Sequence, residues 1–370
     1  MAARYWVGGT STWDATAGTK WSLTSGGVGG QAVPTSSDAV TIDAGISGTF
    51  TITVSTAAVC STLTISNANA ILTMGANITC SSTATFNGGT INLVSYILTC
   101  ASLVSSTGTR SLTNASGGSI TCVGSGVGLN ITPTSLTVSD PIIVTFTYAS
   151  TAAMSATTGS VAGTSDKFSL NFIGAGAHTI AITAGNIVNN LTFASTVVGS
   201  LSNTGFNIIG NLTLGSNASF SATAGTNAIT FIGTTTQTIT SNGKTLPCPI
   251  TFNGTAYTLA DNLTVGAAVV NNNNVVNLTR GILNLNGKIL LCGVFSSSNT
   301  NTRTITQGTG GLFYCYYASA NPSFDVIGSG LTVTGTQANN IVNYVGSYTP
   351  NSSFTFILIP LPAGFLSFFY

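Results

Sequence analysis

Apolar and polar residues alternate along short stretches of the chain, and clusters of glycine, asparagine and serine separate these stretches. Phe50, Ile52 and Val54 show this period of two. The same period is seen at Leu63/Ile65, Ile91/Leu93 and Leu331/Val333. A period of two places the apolar side chains on one face of a β-strand. The pattern therefore predicts many short strands, each with one buried face, and no stretch has the period of an amphipathic helix.

Six cysteines recur at a nearly constant interval and make the pattern more specific. They are Cys60, Cys80, Cys100 and Cys122 in the first half, and Cys292 and Cys315 in the second. Each lies two positions after an apolar residue, so both side chains share one strand face. With roughly 20 residues per coil, as in solenoid repeats, these cysteines form a ladder in the core. We predict an all-β chain folded as a right-handed parallel β-helix (β-solenoid) with a coil of about 20 residues.

Internal duplication supports a repeat architecture. Residues 89–131 match 281–326, with Cys100 and Cys122 aligned with Cys292 and Cys315, and residues 172–193 match 231–252. We divide the chain into three parts on this basis. They are an N-terminal cap segment (1–45), the solenoid (46–345) and an apolar C-terminal tail for anchoring or oligomerisation (346–370).

Composition narrows the class of partner. Only 4% of the residues are charged, and the net charge is +1 with no run of lysine or arginine. Ordinary globular domains carry about 25% charged residues, and nucleic-acid binding depends on clustered basic residues. We therefore expect no nucleic-acid partner. Threonine, valine and isoleucine favour strands, while glycine, asparagine and serine favour turns, which again indicates an all-β fold.

The two termini suggest neither export by a secretory signal nor a membrane span. The first residues lack the charged, apolar and small-residue succession of a signal peptide. The apolar run at 356–369 is shorter than the ~20 residues of a membrane helix and contains Pro360 and Pro362. We expect no membrane span.

Several segments resemble a known group of proteins. The N-terminal Tyr5-Trp6-Val7-Gly8-Gly9 with Trp13 and Trp21-Ser22, and the segments Gly281–Thr304 and Thr236–Gly254, carry the likeness. They resemble β-repeat (β-helix) tail and virion surface proteins of tailed bacteriophages. The N-terminal segment is also similar to bacterial surface β-repeat proteins. The resemblance implies a virion surface or bacterial cell-surface location and no catalytic residue.

The cysteines allow three interpretations. Adjacent coils place equivalent Cα atoms ~4.8 Å apart, which is inside the disulfide range. Zinc sites use close pairs such as CxxC, and intervals of 20 or more residues along a ladder do not converge on one ion. Free cysteine is among the most buried residue types, so buried free thiols are favoured over disulfides and over a metal site. We predict no metal and no cofactor.

Catalytic chemistry is not indicated by the remaining polar residues. Polysaccharide cleavage normally needs two carboxylates across the scissile bond, and the seven aspartates form no obvious pair outside the N-terminal segment. Asp261 aligns with Asn189 and Gly210, a substitution pattern typical of turns. The single histidine, His178, aligns with Gln237, and Gly243-Lys244-Thr245 lacks the first glycine of a P-loop. We predict a chain that is not an enzyme.

Aromatic clusters near both ends are the remaining candidate contacts. Trp6, Trp13 and Trp21 either stack on sugar rings or cap the first coil, and the cap is favoured. The C-terminal aromatics are expected to mediate oligomerisation or anchoring. They are Phe354, Phe356, Phe365, Phe368, Phe369 and Tyr370.

The resemblance, together with the lack of an obvious acid pair, implies a non-enzymatic phage virion structural or surface protein that presents a rigid, uncharged adhesive or scaffold surface. A tail fibre, a receptor-binding protein and a capsid-decorating protein all fit this description. The expected partners are further copies of the chain (a homotrimer is favoured), other virion proteins and host surface glycan. A bacterial cell-surface adhesin or matrix protein is the first alternative, and a polysaccharide-degrading tailspike is the second.

Overall fold

A computed structural model describes most of the chain. The residues described are 2–147, 154–174, 176–194, 197–203, 205–222, 228–266, 275–315, 324–326, 329–334, 341–344 and 367–369. Within them the regular structure is almost entirely β, no residue is α-helical, and the single helical turn is a 3₁₀ helix at Ser165–Lys167.

The strands are short, and their bounds fall into three successive groups. The first group is β1 (Ala3–Trp6), β2 (Ser11–Trp13), β3 (Trp21–Ser22), β4 (Ala39–Ile42), β5 (Phe50–Val54), β6 (Ala58–Cys60), β7 (Thr62–Ile65), β8 (Ala70–Met74), β9 (Ile78–Cys80), β10 (Thr83–Phe86), β11 (Gly89–Asn92), β12 (Ile97–Cys100), β13 (Ser102–Ser105), β14 (Arg110–Thr113) and β15 (Ser119–Cys122). The second group is β16 (Gly126–Ile131), β17 (Leu136–Val138), β18 (Ile142–Phe146), β19 (Met154–Thr157), β20 (Phe168–Phe172), β21 (Gly176–Ile182), β22 (Ile187–Val188), β23 (Leu191–Phe193), β24 (Val197–Asn203), β25 (Asn207–Ile208), β26 (Leu212–Leu214), β27 (Ser219–Ala222), β28 (Ile229–Phe231) and β29 (Thr236–Thr240). The third group is β30 (Thr245–Leu246), β31 (Ile250–Phe252), β32 (Ala256–Leu259), β33 (Leu263–Val265), β34 (Val275–Leu278), β35 (Gly281–Asn284), β36 (Ile289–Cys292), β37 (Val294–Ser296), β38 (Arg303–Thr306), β39 (Leu312–Cys315), β40 (Phe324–Asp325), β41 (Leu331–Thr334), β42 (Ile341–Tyr344) and β43 (Ser367–Phe369).

The chain divides into two compact units. Unit 1 comprises Met1–Ala175 and Asn186–Asn189, and unit 2 comprises Gly176–Gly185 and Asn190–Tyr370.

Unit 1 is a three-sided β-solenoid, because each coil adds one strand to each of three parallel sheets. The first sheet runs β3, β1, β4, β7, β10, β13, β16, β19; the second runs β2, β5, β8, β11, β14, β17; the third runs β6, β9, β12, β15, β18, β20. Strands join their neighbours in parallel, apart from β3, which pairs with β1 antiparallel. An antiparallel strand at the edge of the first sheet ends the parallel ladder there.

The strands of unit 2 also run parallel to their neighbours, and they fall in four sheets. The sheets run β21–β24–β27, then β23–β26–β29–β32–β35–β38–β41, then β25–β28–β31–β34–β37–β40, and β30–β33–β36–β39–β42–β43. All of these pairings that are described are parallel. The predicted all-β solenoid is therefore confirmed in both units.

The coil is longer on average than the predicted 20 residues, at roughly 23. The early coils keep the shorter value, since Cys60 lies opposite Cys80. Later coils are longer, as the pairing of Arg303 with Leu331 shows. Strand register is kept in this longer coil, since Arg303–Thr306 still pair one to one with Leu331–Thr334.

Alternating burial follows the alternating sequence. In β5 the side chains of Phe50, Ile52 and Val54 are buried, whereas Thr51 and Thr53 are half-buried on the outer side. Burying a side chain of this size contributes about 1.5–3 kcal/mol. Aromatic rings stack between coils in the same way, as Phe146 and Phe172 do with ring centroids 4.5 Å apart. Leu331 and Val333 in β41, which also alternate, are half-buried.

Two buried arginines donate hydrogen bonds to the turns that connect successive strands, and we call these turns the corners of the coils. Arg110 is 1% exposed and donates from Nη1 to the Ser105 hydroxyl at 2.6 Å, and from Nε to the Gly108 carbonyl at 3.0 Å. Its Nη2 donates to the carbonyls of Thr132 and Thr134 in the next coil. Burial lowers the pKa of Arg110 below the usual arginine value. The guanidinium thus satisfies carbonyl groups that the turns leave unpaired.

The duplication predicted from the sequence places a second arginine in the same arrangement in unit 2. Arg303 is fully buried and donates to the backbone and hydroxyl of Ser297 and to the carbonyls of Asn301 and Ser329. Gly281 lies opposite it on the neighbouring strand, as Gly89 lies opposite Arg110. Both glycines have positive φ, and a Cβ on either would meet a carbonyl oxygen at 2.4 Å.

Candidate interaction surface

The third sheet of unit 1 carries an unusual outer face. Its outward side chains include five exposed large apolar residues, and no charged residue stands among its outward strand positions. We call this set the apolar outer face. It consists of Val59, Thr79, Ile97, Thr99, Ser119, Thr121, Val123, Ile143, Thr145, Ser169, Asn171 and Ile173.

Strand register orders these side chains into columns. Ile97 is opposite Ser119, which is opposite Ile143. In the neighbouring column, Thr99, Thr121 and Thr145 lie opposite one another. Adjacent rungs are ~4.8 Å apart, and residues two apart on a strand are about 6.7 Å apart. The result is a regular array of methyl and hydroxyl groups.

Exposure of the apolar members is substantial. The side chain of Ile143 is 51% exposed, Val59 is 41% exposed and Ile173 is 39% exposed. Isoleucine and valine have stiff χ1 angles in strands, so contact with another surface costs them little side-chain entropy. Ser119 lies between Ile97 and Ile143 in their column, so apolar and hydroxyl side chains are interspersed on this face. Exposed apolar surface gathered on one side of a protein marks interaction sites.

The second sheet of unit 1 provides a contrasting outer face. Its outward positions are dominated by hydroxyl and amide side chains. Thr53, Thr73, Asn92 and Thr113 form one registered column. In unit 2 a comparable column contains Thr238, Thr258, Asn284, Thr306 and Thr334, in which the Thr306 and Thr334 hydroxyls are 3.0 Å apart. The apolar outer face therefore differs from these faces in side-chain chemistry rather than in backbone form.

The three tryptophans form a buried cluster at the start of the chain. Trp21 contacts both Trp6 and Trp13 edge to face, with ring centroids 5.0 and 5.1 Å apart. All three are at most 1% exposed, and Trp6 Nε1 donates to the Gly9 carbonyl. Rings this deeply buried offer no open face to a sugar, so the geometry favours the cap interpretation over the glycan one.

The predicted C-terminal contact residues fall largely outside the described structure. Phe354, Phe356, Phe365 and Tyr370 are not among the described residues. Phe368 and Phe369 belong to β43, which pairs with β42, but their side chains are not described. The anchoring or oligomerisation role of this tail remains a prediction.

The cysteine ladder is inward-facing, as its spacing predicted. Cys60, Cys80, Cys100 and Cys122 end four successive strands of the third sheet of unit 1, and all are buried. In unit 2, Cys292 and Cys315 end β36 and β39 opposite each other. Contact with the neighbouring thiol and burial raise the pKa of Cys60, Cys100 and Cys292. These thiols are therefore protonated at neutral pH.

The N-terminal carboxylates accept hydrogen bonds within turns and form two ion pairs, Lys20 with Asp14 and Arg4 with Asp38. Asp14 pairs with Lys20 at 2.9 Å and accepts hydrogen bonds from Thr12 and Thr16. These hydrogen bonds, that from Thr12 above all, lower the pKa of Asp14 to about 2. Asp38 accepts from the Thr35 backbone and hydroxyl and from the Ala2 backbone, and the Thr35 backbone N–H contributes most to lowering its pKa.

Four further aspartates bind neighbouring turns. Asp43 accepts from Ser25 and Gly45, and Asp140 accepts from Asn114 and Ser139. Asp261 accepts from the backbones of Ser241 and Asn242 one coil earlier, and Asp325 accepts from Ser298. Asp261 therefore has the turn role that its alignment with asparagine and glycine predicted. Asp166 lies in the 3₁₀ helix, and its buried Oδ1 has no hydrogen-bond partner.

The described residues offer neither a metal cluster nor a membrane helix. No three histidine, cysteine or acidic side chains among them come together in a way that could hold a metal ion. Within the same residues, no helix has the length and apolar character needed to cross a membrane. His178 belongs to β21, but its side chain is outside the described set.

Comparisons with protein-family models, with curated proteins and with solved structures find no match for this chain.

Sequence reasoning missed the apolar outer face, although a signal for it was present. Val59, Thr79, Thr99 and Thr121 each directly precede one of the ladder cysteines, so they must point outward when the cysteine points inward. Alternation identifies such positions as outward. It does not reveal that Ile97 and Ile143 belong to the same sheet, because that depends on the three-sided coil.

Proposed function

We propose that the chain is a non-enzymatic structural or surface protein of a phage virion, acting as a tail fibre, receptor-binding or capsid-decorating β-solenoid. The observation that carries this proposal is the regular, charge-free apolar outer face held on rigid parallel rungs. The resemblance of the sequence to tail and virion surface β-repeat proteins also supports a location on a phage virion. A fold alone does not specify function, so the argument depends on the surface and on the state of the carboxylates.

The state of the carboxylates argues against a polysaccharide-degrading tailspike. A glycosidase needs one carboxyl group as acid and a second as nucleophile or base, with both aimed at the same bond. Asp14, Asp38 and Asp261 instead accept hydrogen bonds from their own or adjacent turns. The lowered pKa of Asp14 also suits a permanent anion better than a general acid.

A second copy of the chain is the proposed occupant of the apolar outer face. The face carries no charge on its strands, so two copies can approach without like-charge repulsion. Exposed isoleucine and valine on one copy can interdigitate with threonine methyl groups on another. A closed trimer, the predicted oligomer, would bury this face around its symmetry axis. The hydroxyl-rich outer faces would then remain for other virion proteins or host glycan.

A bacterial cell-surface adhesin or matrix protein shares the same physical features. In that setting the hydroxyl and amide columns, such as that of Thr53, Thr73 and Thr113, would be the adhesive surface.

The protein composition of phage particles distinguishes a virion protein from a bacterial cell-surface adhesin. Phage particles purified on a density gradient from the source of this sequence are analysed by quantitative mass spectrometry. The proposal predicts the chain in a fixed copy number per particle. Its absence from particles, together with its recovery from the bacterial surface, would favour the adhesin. Hydrolysis of host polysaccharide by the purified chain, abolished by Asp14→Asn or Asp38→Asn, would favour the tailspike.

A further inference from the structure

Cysteines meet in pairs across adjacent coils. Cys60 and Cys80 lie directly opposite each other on parallel strands β6 and β9, and their Sγ atoms are 3.2 Å apart. A disulfide needs an S–S distance of about 2.05 Å and a Cα separation of about 4.4–6.8 Å. Neighbouring strands supply a separation of ~4.8 Å, so the two sulfur atoms need to approach by only about 1 Å.

The same opposed register occurs twice more. Cys100 lies opposite Cys122 on β12 and β15, and Cys292 lies opposite Cys315 on β36 and β39. These two pairs occupy matching positions in the duplicated segments 89–131 and 281–326. One arrangement of two thiols is therefore present once in each copy of the duplication and once more in the earliest coils.

Strand register places Cys60 opposite Cys80 and Cys100 opposite Cys122, and the thiol contacts that affect the pKa follow the same two pairs. The hydrogen bond with Cys80 contributes most to the raised pKa of Cys60, and the hydrogen bond with Cys122 contributes most to the raised pKa of Cys100. Cys80 contributes less to the raised pKa of Cys100. Cys248 differs, because burial alone raises its pKa, to about 12, and no described cysteine contributes to that rise.

We propose that these are three latent cross-coil disulfides, Cys60–Cys80, Cys100–Cys122 and Cys292–Cys315, which close when the chain folds in an oxidising environment. Cys248 stays a free thiol. The proposal is independent of the virion function, since it concerns only how successive coils are joined.

The chemistry needs one low-molecular-weight disulfide, such as oxidised glutathione, for each pair. The thiolate of one cysteine attacks a sulfur of the reagent, forming a mixed protein–glutathione disulfide and releasing one glutathione thiol. The second cysteine, as its thiolate, attacks the protein sulfur of that mixed disulfide and releases the second glutathione. The pair loses two protons and two electrons, and the reagent gains both.

Because the cysteine thiols are buried in the folded chain, this exchange can occur only before folding is complete. Cys60, Cys80, Cys100 and Cys122 are at most 1% exposed, and thiol–disulfide exchange requires an accessible thiolate. The raised pKa of Cys60 and Cys100 further slows the reaction in the folded chain. The disulfides therefore form while coils are still closing, and reduced folded protein resists the same reagent.

The experiment compares the same chain folded in the presence of the redox buffer and folded before the buffer is added. Full-length protein, reduced and unfolded in urea, is refolded by dilution into a glutathione redox buffer. A second sample is folded under reducing conditions and then placed in that buffer. Free thiols are alkylated under denaturing conditions, and intact mass and peptide mapping follow. We expect three disulfides in the refolded sample with the stated pairing, and none or few in the prefolded one.

Two serine variants test the pairing. Cys80→Ser should form two disulfides and leave Cys60 free, whereas Cys248→Ser, the matched control, should still form three. Circular dichroism with a β spectrum and resistance to trypsin identify the folded fraction that is analysed. A Cys80–Cys100 link, a disulfide to Cys248, or seven free thiols in folded protein would each overturn the proposal. The oxidised chain is also expected to unfold at a higher temperature than the reduced chain.

Discussion

The guanidinium of Arg110 donates a 2.6 Å hydrogen bond to the Ser105 hydroxyl across the corner between β13 and β14. In unit 2, Arg303 and Ser297 repeat the contact between β38 and β37. Each arginine also binds carbonyl groups of its own turn and of the next coil. No carboxylate accepts any of these bonds, so the charge is stabilised by backbone dipoles within the corner.

Replacing Arg110 tests this corner. Arg110→Ala removes a buried side chain together with its charged hydrogen bonds to Ser105 and to the Gly108, Thr132 and Thr134 carbonyls, so the free energy of unfolding should fall by about 3 kcal/mol. Arg110→Lys should recover little, because an ammonium cannot reproduce the planar fork. Urea unfolding followed by circular dichroism measures both, with exposed Arg280→Ala as a control expected within about 0.5 kcal/mol of wild type. A stable Arg110→Ala variant would show that the corner holds without the guanidinium.

The tryptophan cluster should be structural. Trp21→Ala removes the ring that contacts both Trp6 and Trp13, and a loss of about 3–5 kcal/mol is expected for so large a buried side chain. Acrylamide should quench wild-type fluorescence weakly and quench the variant strongly. Leu23→Ala, at a side chain that is 51% exposed, is the control and should behave as wild type. Strong quenching of the wild-type protein would contradict the buried cap.

Acid should open the N-terminal segment. Hydrogen bonds lower the pKa of Asp14 to about 2 and also lower that of Asp38, whereas unfolded aspartate titrates near about 3.9. Their contribution to stability is therefore complete above about pH 4 and is lost as the pH falls through the folded values. All three tryptophans lie in this segment, so a red shift of tryptophan emission between about pH 4 and 2 reports the loss.

The matched test of that pH dependence is the Asp14→Asn/Asp38→Asn double variant. It has no carboxyl group to titrate at either position, so its emission should change much less over the same range. Circular dichroism at each pH separates local opening from global unfolding. An unchanged acid transition in the double variant would assign the effect to other groups.

Alternation and cysteine spacing were sufficient to predict the solenoid, because both report directly on which side chains face inward. The period of two predicted Phe50, Ile52 and Val54 as one buried face, and β5 confirms it. Coil length was predicted less well, since the directly paired Arg303 and Leu331 are further apart in the sequence than Cys60 and Cys80, although strand register is kept. Strand register is kept because the backbone hydrogen bonds between neighbouring coils are made by the strands alone.

The apolar outer face and the arginine corners could not be predicted in the same way. Ile97 and Ile143 are 46 positions apart in the sequence, and only the stacking of three-strand coils brings them to one sheet. Arg110 resembles an exposed basic residue in sequence, because nothing local shows that its partners are carbonyls of the following coil. Both features depend on contacts between coils rather than on contacts within one.

Native mass spectrometry of the purified chain tests most directly the claim that copies of the chain associate through the apolar outer face. At micromolar concentration the wild-type protein should be an oligomer, with a trimer expected, and Ile97→Lys/Ile143→Lys should shift it to monomer while the β spectrum is kept. Thr73→Lys/Thr113→Lys, which places the same charges on the outer face of the second sheet, should remain oligomeric. A monomeric wild-type chain, or an oligomer that the isoleucine variant leaves intact, would contradict the account.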